Sequence, residues 1–261
     1  MHTIQPLYAL SGLVVGILVG MTGVAGGSLM TPALILIFDI HPVTAVGTDL
    51  LYASVTKTSG TFVHGYNGTI DWRVAGRLAL GSVPMTVITI WALYALDAHG
   101  DATHQIVTKI LGIALLLTAL SLIFRKSIMQ VYSRRVSELD PSLVRNLTIA
   151  MGAVLGLLVT ISSIGAGAIG VTALILLYPK MPTVRIVGSN IAHAVPLTLL
   201  AGLGHWFIGT IDFTVLGSLL VGSIPGTIAG SFLAPRVPDP ALRLTLATLM
   251  ILVCARFWFF K

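Results

Sequence analysis

The feature that constrains this chain most is a series of apolar runs that recur from its first residues to its last. A membrane-spanning helix needs roughly 20 apolar residues, and the 261-residue chain is 56% apolar and only 9% charged. The run LGIALLLTALSLIF (111–124) does not alternate apolar and polar residues, as the strands of a membrane barrel would. No polar block remains for a soluble domain. The sequence therefore predicts an all-α polytopic membrane protein with a single membrane domain over residues 1–261.

Polar or turn-rich breaks divide the chain into eight to ten membrane segments. The formal charge of +6 comes from Lys and Arg at the ends of these segments and in one connecting stretch, which is a membrane-topology pattern and not a nucleic-acid surface. The lone Cys254 excludes an intrachain disulfide and a multi-cysteine metal cage. We predict the lipid bilayer as a partner, and no nucleic acid, metal or cofactor. The predicted apolar segments are 7–24, 27–38, 43–66, 73–95, 103–124, 143–162, 165–178, 184–208, 213–233 and 240–260.

The two halves of the chain carry the same short motifs in the same order. Such an ordered set predicts an internal repeat, with repeat one over 7–124 and repeat two over 143–260, joined by a basic loop over 125–142. The matches are GILV (16–19) with GLLV (156–159), HPVTAVGTD (41–49) with MPTVRIVGSN (181–190), GTIDW (68–72) with GTIDF (209–213), and GSVP (81–84) with GSIP (222–225).

The distribution of Lys and Arg predicts how the repeats are oriented, because these residues stay on the cytoplasmic side. If each repeat opens with one long span, nine basic residues fall on one side and five on the other, leaving Lys57 aside. If residues 7–38 and 143–178 each form a broken helix or hairpin that returns to its own side, the split becomes eleven to three. The hairpin topology fits better. It leaves three full crossings after each hairpin, so that repeat two is inverted relative to repeat one and the loop 125–142 is cytoplasmic.

A glycine cluster interrupts the first predicted hairpin. Gly23, Gly26 and Gly27 permit non-helical backbone, which at mid-bilayer is tolerated only against protein or a water-filled cavity. The helix that follows starts near Ser28 and would direct its free N–H groups and the positive end of its dipole at the break. The equivalent break of repeat two holds Ser163, Gly165 and Gly167. The two breaks together predict an anion-binding site.

Close helix packing is the alternative use of glycine in a membrane helix. We expect it for Gly16 and Gly20, which are four residues apart. The denser 23–27 cluster favours a break, because each glycine costs a helix about 1 kcal/mol.

A stripe of small and polar residues follows each hairpin. Asp49 and Lys57 are eight residues apart on one helix face, and Asn190 and Thr198 hold the equivalent positions in repeat two. An ionisable group turned toward lipid costs at least ~2.5 kcal/mol, so both stripes are expected to face the protein interior. Lys57 either supplies positive charge to a site or pairs with Asp49. His193 either carries a proton or stays buried and neutral.

These motifs resemble the TauE/SafE family of sulfite and organosulfonate exporters. The resemblance rests on GxxGVxGG at 20–27, HPxxAVGT at 41–48, the two related halves and the basic central segment, and it covers nearly the whole chain. It implies a multi-pass transporter of the inner (plasma) membrane that moves small sulfur-containing anions outward, with proton coupling as an option. Repeat two departs from the motif, since SSIGAGA (162–168) stands where a fuller glycine motif is expected.

The sequence thus predicts a secondary transporter that exports small anions, sulfite or organosulfonates, by alternating access around a site at the membrane midplane. An anion channel and a permease for a non-sulfur solute are the alternatives. An enzyme is not expected, because Asp49 is the only acidic residue placed well inside a span and Ser162 and Ser163 have no neighbouring base. The oligomeric state stays open, with a homodimer as one option.

Overall fold

The fold is all-helical, as predicted. The structure, a computed structural model, describes residues 5–22, 26–96, 100–136, 140–233 and 239–259. Within these ranges the chain forms ten α-helices and no strand. The helices are α1 (Pro6–Thr22), α2 (Gly26–Leu36), α3 (Pro42–Tyr66), α4 (Trp72–Ala95), α5 (Asp101–Val136), α6 (Pro141–Ser162), α7 (Ala168–Leu177), α8 (Thr183–Phe207), α9 (Phe213–Leu233) and α10 (Asp239–Phe259).

Five helices in the described part of the chain are long and apolar enough to cross a bilayer. They are α4, α6 and α8 in full, Thr103–Phe124 of α5 and Phe213–Gly230 of α9. Helix α3 has the length, at 25 residues, but carries the polar stripe. The chain is therefore a multi-pass membrane protein.

Both predicted hairpins are present, because the start of each first helix lies against the end of its second. The ring centroids of Tyr8 and Phe38 are 4.5 Å apart. In repeat two the hydroxyl groups of Thr148 and Tyr178 are 2.8 Å apart. We call the membrane side where α1 begins and α2 ends the α1 side, and the side where α6 begins and α7 ends the α6 side.

The GTID motif found in both halves makes the turn between two crossings. Gly68 has a φ of 62°, a left-handed conformation that favours glycine. The Thr69 hydroxyl donates to the His64 carbonyl oxygen at 3.0 Å and lies 2.8 Å from His64 Nδ1. Asp71 caps α4 by accepting hydrogen bonds from two amides of its first turn. The second copy, residues 209–212, forms the same contacts between α8 and α9.

The first helix of each repeat packs against the fourth helix of the other, α1 on α9 and α6 on α4. Glycines bring the backbones together: a Cβ at Gly12 would lie 2.3 Å from the Leu219 carbonyl oxygen, and one at Gly152 would lie 2.1 Å from that of Leu78. Gly16 likewise packs against the backbone of Ser223, which confirms its predicted packing role. The pairs α3 with α8 and α5 with α10 join equivalent helices. One internal two-fold relation thus organises the packing.

The contact between α3 and α8 shows that this relation inverts the repeats. Near the start of α3, Gly47 packs against His205 at the end of α8. Near the start of α8, Gly188 packs against His64 at the end of α3. Equivalent helices that run antiparallel are related by an axis lying across them, in the membrane plane. The predicted inverted repeats are confirmed.

The central segment is the one element that the sequence analysis described wrongly. We predicted a loop over 125–142, but α5 continues to Val136. Residues 125–136 contain neither proline nor glycine, so nothing ends the helix even though its composition turns polar. A new helix begins only at Pro141, where Asp140 accepts a hydrogen bond from the Ser142 amide. The cytoplasmic location of this segment stays a prediction.

Exposed aromatic side chains lie near the ends of the crossings on both sides. Tyr66 and Trp72 lie on the α6 side, and Trp206 and Phe207 on the α1 side. Aromatic residues concentrate at the two membrane–water interfaces, so these positions mark where the protein meets the lipid headgroups.

Candidate functional site

The second hairpin contains a buried stretch of non-helical backbone at its tip. Helix α6 ends at Ser162, and Ser163 follows with a φ of 58°. Gly165 has a φ of 117°, and Gly167 precedes α7 without offering a side-chain cap. Ser163 and its neighbour Ile164 are both buried. Irregular backbone at membrane depth is acceptable here because protein, not lipid, surrounds it.

In the first hairpin, α1 ends at Thr22 and α2 begins at Gly26. Gly26 and Gly27 therefore form the first turn of α2, and the Ser28 side chain is buried. Gly23 lies outside the described residues. Two helices meeting at this point agree with the expected interruption, and the binding role of these four residues stays a prediction.

Asp49 is a fully buried carboxylate that links the two repeats. The Thr31 hydroxyl, on α2, donates to Asp49 Oδ2 at 2.5 Å. The Ser163 hydroxyl, at the tip of the other hairpin, lies beside the same carboxylate. Neither Asp49 Oδ1 nor Ser163 Oγ has a well-formed hydrogen bond among the described residues. Since buried polar atoms are rarely left unpaired, these two oxygens are available to a ligand.

Asn190 occupies the position in α8 that corresponds to Asp49, and it holds its own hairpin. Its Nδ2 donates to the carbonyl oxygen of Ala166, in the α6–α7 break, at 2.5 Å. Gly170 leaves room for it, because a Cβ there would lie 2.4 Å from Asn190 Oδ1. That oxygen is buried and has no hydrogen bond to the part of the chain that the structure describes. Asn190 thus fixes the tip that presents Ser163 to Asp49.

Lys57 and His193 complete a cluster of ionisable groups in the interior. The charge of Lys57 acts on both Asp49 and His193, yet Lys57 and Asp49 are not in direct ion-pair contact within the described residues. The Lys57 side chain is half-buried, whereas His193 is buried. His193 Nε2 lies 2.8 Å from the Ser82 hydroxyl on α4, and its Nδ1 has no partner in the described structure. One carboxylate and one imidazole thus lie within the electrostatic reach of one ammonium group.

Sequence reasoning missed the residues that complete this arrangement. Tyr52 corresponds to His193 and Ser223 to Ser82, and the Tyr52 hydroxyl lies beside Ser223. Neither hydroxyl forms a hydrogen bond among the described residues. Thr31 was not anticipated either. The signal for the two serines was present in the matched GSVP and GSIP motifs, which we used only to detect the repeat.

Two cavities open at opposite ends of the protein. One, of about 470 Å³, lies on the α6 side between the ends of α4, α6, α7 and α8. The other, of about 640 Å³, lies on the α1 side between the ends of α2, α3, α5 and α10. The polar cluster lies between them, toward the middle of the spans. Among the described residues no group of three or more His, Cys, Asp or Glu side chains is placed to hold a metal ion.

Comparison with known proteins adds a family to this geometry. Residues 8–257 match the model of the family described as "Sulfite exporter TauE/SafE". A protein of Bacillus subtilis (strain 168) named "Probable membrane transporter protein YjnA" is 38% identical over 211 residues, which cover 80% of this chain and 82% of that one. A second relative, "Probable membrane transporter protein MJ0441" of Methanocaldococcus jannaschii, is 28% identical over 76% of this chain and 70% of its own length. No solved structure matches the chain.

Proposed function

The chain belongs to the sulfite exporter TauE/SafE family of membrane transporters, and on that premise we propose that it is a secondary transporter that exports small anions, sulfite or organosulfonates. We place it in the inner, plasma membrane, with the α6 side in the cytoplasm. More basic residues lie near helix ends on the α6 side than on the α1 side. Those on the α6 side include Arg77, Arg145, Lys180 and Arg185, and those on the α1 side include Lys109 and Arg256. Such an excess of basic residues is typical of the cytoplasmic face.

The observation that carries the proposal is the buried carboxylate of Asp49, which lies beside the Ser163 hydroxyl and within the electrostatic reach of Lys57. Ionisable groups within membrane spans are expensive and mark substrate or ion pathways. Lys57 supplies the positive charge that an anion requires, and Ser163 supplies a hydroxyl donor at the hairpin tip. Asp49 would repel a bare anion unless it binds a proton, so an anion and a proton would occupy this site together. Proton coupling follows as part of the proposal.

The two pairs formed by equivalent residues support alternating access. His193 and Ser82 join α8 to α4, and their atoms are 2.8 Å apart. The corresponding pair, Tyr52 and Ser223, lies side by side between α3 and α9, without a hydrogen bond as well formed within the described residues as that of His193 and Ser82. In an inverted repeat, exchanging the states of two equivalent contacts converts an opening on one side into an opening on the other. Of these two equivalent contacts, the one between α4 and α8 is the better formed here.

The test is flux in proteoliposomes that contain the purified protein, with [35S]sulfite under argon and with thiosulfate and methanesulfonate as further solutes. We expect saturable sulfite flux that responds to a pH gradient. Lys57→Ala should abolish or greatly weaken this flux while the protein still inserts. Val55→Ala is the matched control, since Val55 lies on the same helix with an exposed side chain.

Three outcomes would contradict parts of the proposal. Flux that rises linearly with concentration indicates a channel. Saturable flux of an uncharged solute, with none for the sulfur anions, indicates a permease for another substrate. Unchanged anion flux in Lys57→Ala removes Lys57 from the mechanism.

A further inference from the structure

The cavity on the α6 side has a lining rich in cations. We call it the α6-side vestibule. Arg77 lies on α4, Arg185 on α8, and Lys180 in the connection between α7 and α8. Its volume of about 470 Å³ lies within the range of small-molecule sites. The complete lining is Arg77, Pro141, Val144, Leu177, Tyr178, Pro179, Lys180, Met181, Pro182 and Arg185, which includes no carboxylate.

The positive charge of the vestibule is only partly neutralised by its surroundings. Asp71 lies outside the lining, and its Oδ2 is 3.6 Å from Arg185 Nη2. Arg77 donates to a neutral oxygen, the Tyr178 hydroxyl, at 3.2 Å. Lys180 is exposed and has no partner within the described structure. Two of the three cations thus lack a counter-ion in this part of the protein.

Arg77 is held in place before any ligand arrives. The Tyr178 hydroxyl that receives its hydrogen bond also lies 2.8 Å from the Thr148 hydroxyl on α6. Three elements therefore meet at Tyr178 and orient the guanidinium at the wall of the cavity. A preorganised guanidinium loses less entropy when it binds an oxyanion than a mobile one does.

The cavity at the other end of the protein has a different electrostatic character. On the α1 side, Lys109 and Arg256 share the lining with the carboxylate of Asp39. Both cavities include the connection between the second and third helices of a repeat, but α4 and α6 complete one and α5 and α10 the other, and of the two only the α6-side vestibule is lined by cations without an acid. Because of this difference in charge, the α6-side vestibule attracts anions more strongly than the cavity on the α1 side does.

The vestibule and the polar cluster both include residues of α4 and α8. Arg77 and Ser82 are five residues apart on α4, about 8 Å along the helix axis, and Arg185 and His193 are eight residues apart on α8, about 12 Å. The two helices pack together, and the contact between Ser82 and His193 lies at their meeting point. The vestibule and the Ser82–His193 contact are thus linked through the same two helices.

We propose that the α6-side vestibule is a second binding site for small oxyanions, which collects them at the membrane surface and loads the central site. This inference rests on the proposed function. The site uses Arg77 as an oriented donor, with Lys180 and Arg185 as additional positive charge. It selects for charge more than for shape, so it takes sulfite and sulfonates alike.

The test compares three variants in proteoliposomes of zwitterionic phosphatidylcholine, with [35S]sulfite under argon and at low salt. Lys180→Gln is the safest probe because Lys180 is exposed and makes no contact that folding requires. Arg77→Gln tests the oriented donor. Arg73→Gln is the matched control, since Arg73 is exposed at the same end of α4 but does not line the vestibule.

We expect Lys180→Gln and Arg77→Gln to raise KM about three- to tenfold and to leave kcat unchanged. The increase should vanish in about 1 M KCl, where the Debye length falls to about 3 Å. A purely structural role would not give this salt dependence. Arg73→Gln should match the wild type under both conditions.

The remaining outcomes separate the two proposals. If wild-type protein gives no saturable sulfite flux, the proposed function fails and the vestibule fails with it. If the wild type transports sulfite but neither cavity variant raises KM, or Arg73→Gln raises it equally, only the vestibule is refuted. An effect seen only after anionic phosphatidylglycerol is added would assign these cations to lipid headgroups and would also refute it.

Discussion

The close approach of α4 and α6 can be tested with a single methyl group. A Cβ at Gly81 would lie 1.9 Å from the Ile149 carbonyl oxygen and 2.7 Å from the Ala153 amide nitrogen. Both atoms belong to the backbone of α6, so neither can turn aside. On the same helix, a Cβ at Gly76 would meet nothing within 4 Å. Gly81→Ala and Gly76→Ala therefore make the same chemical change, and only the first produces a clash.

The size of the effect follows from the geometry. To restore an ordinary contact of 3.4 Å, α4 and α6 must separate by about 1.5 Å at Gly81. Overpacking of this kind costs about 1–3 kcal/mol, while alanine in place of helical glycine gains about 1 kcal/mol at either position. The alanine gain is common to both variants, so their free energies of unfolding should differ by the overpacking cost of about 1–3 kcal/mol, or about 2–12 °C in Tm.

Cys254 provides the assay. It is the only cysteine of the chain and is buried, with its thiol donating to the Gly112 carbonyl oxygen at 3.4 Å. A thiol-reactive fluorophore in detergent thus reports global unfolding through one site. The internal two-fold relation predicts the same contrast between Gly222→Ala and Gly217→Ala, since a Cβ at Gly222 would lie 1.8 Å from a backbone oxygen of α1 and one at Gly217 would be free. Equal Tm values within either pair would refute the packing we describe.

Three further predictions concern the site. Asp49→Asn keeps an acceptor for the Thr31 hydroxyl and should leave Tm within about 2 °C of the wild type, while the initial rate of sulfite flux falls at least about tenfold because the amide cannot take up and release the coupled proton; flux at the wild-type rate would contradict the role given to the carboxylate. Gly170→Ala places a methyl group 2.4 Å from Asn190 Oδ1 and should reduce sulfite flux about tenfold or more by displacing the hairpin tip. The same flux assay measures this effect, and a monodisperse preparation of the variant shows that the protein is still folded. His205→Ala removes two buried hydrogen bonds and should lower Tm by about 4 °C or more with KM for sulfite unchanged; a changed KM would give His205 a part in binding.

Much of the fold could be predicted because the signals are local and additive. Apolar runs fix the number of segments, and the count of Lys and Arg chooses between a long span and a hairpin. The start of α6 carries a local signal, Asp140 followed by Pro141, which our prediction of a loop over 125–142 did not use. The end of α5 could not be predicted, because polar composition alone does not stop a helix: without glycine or proline, residues 125–136 remain helical.

Residues of the site could be predicted from the sequence only where placing the side chain inside the membrane costs free energy. Asp49 and Lys57 stand out because charge is expensive in a membrane span. Ser82 and Ser223 do not, because a helical serine or threonine usually bonds to a carbonyl of its own helix, as Thr198 does to Ala194 at 2.8 Å. Which serine turns toward another helix is decided by packing between distant segments, here α4 against α8.

The places where the two repeats differ indicate what the duplication is used for. Two pairs of equivalent glycines that set helix packing, Gly12 with Gly152 and Gly81 with Gly222, make the same kind of backbone contact in both halves. The positions that differ chemically lie on the inner faces of α3 and α8, where equivalent helices meet near the internal axis. A symmetric scaffold provides two conformations of similar energy, which alternating access requires. A symmetric site, however, would place like charges close together across the axis, a cost that the chain avoids by pairing each ionisable group with a less polar or neutral partner. These pairs are Asp49 with Asn190, Tyr52 with His193, and Lys57 with Thr198.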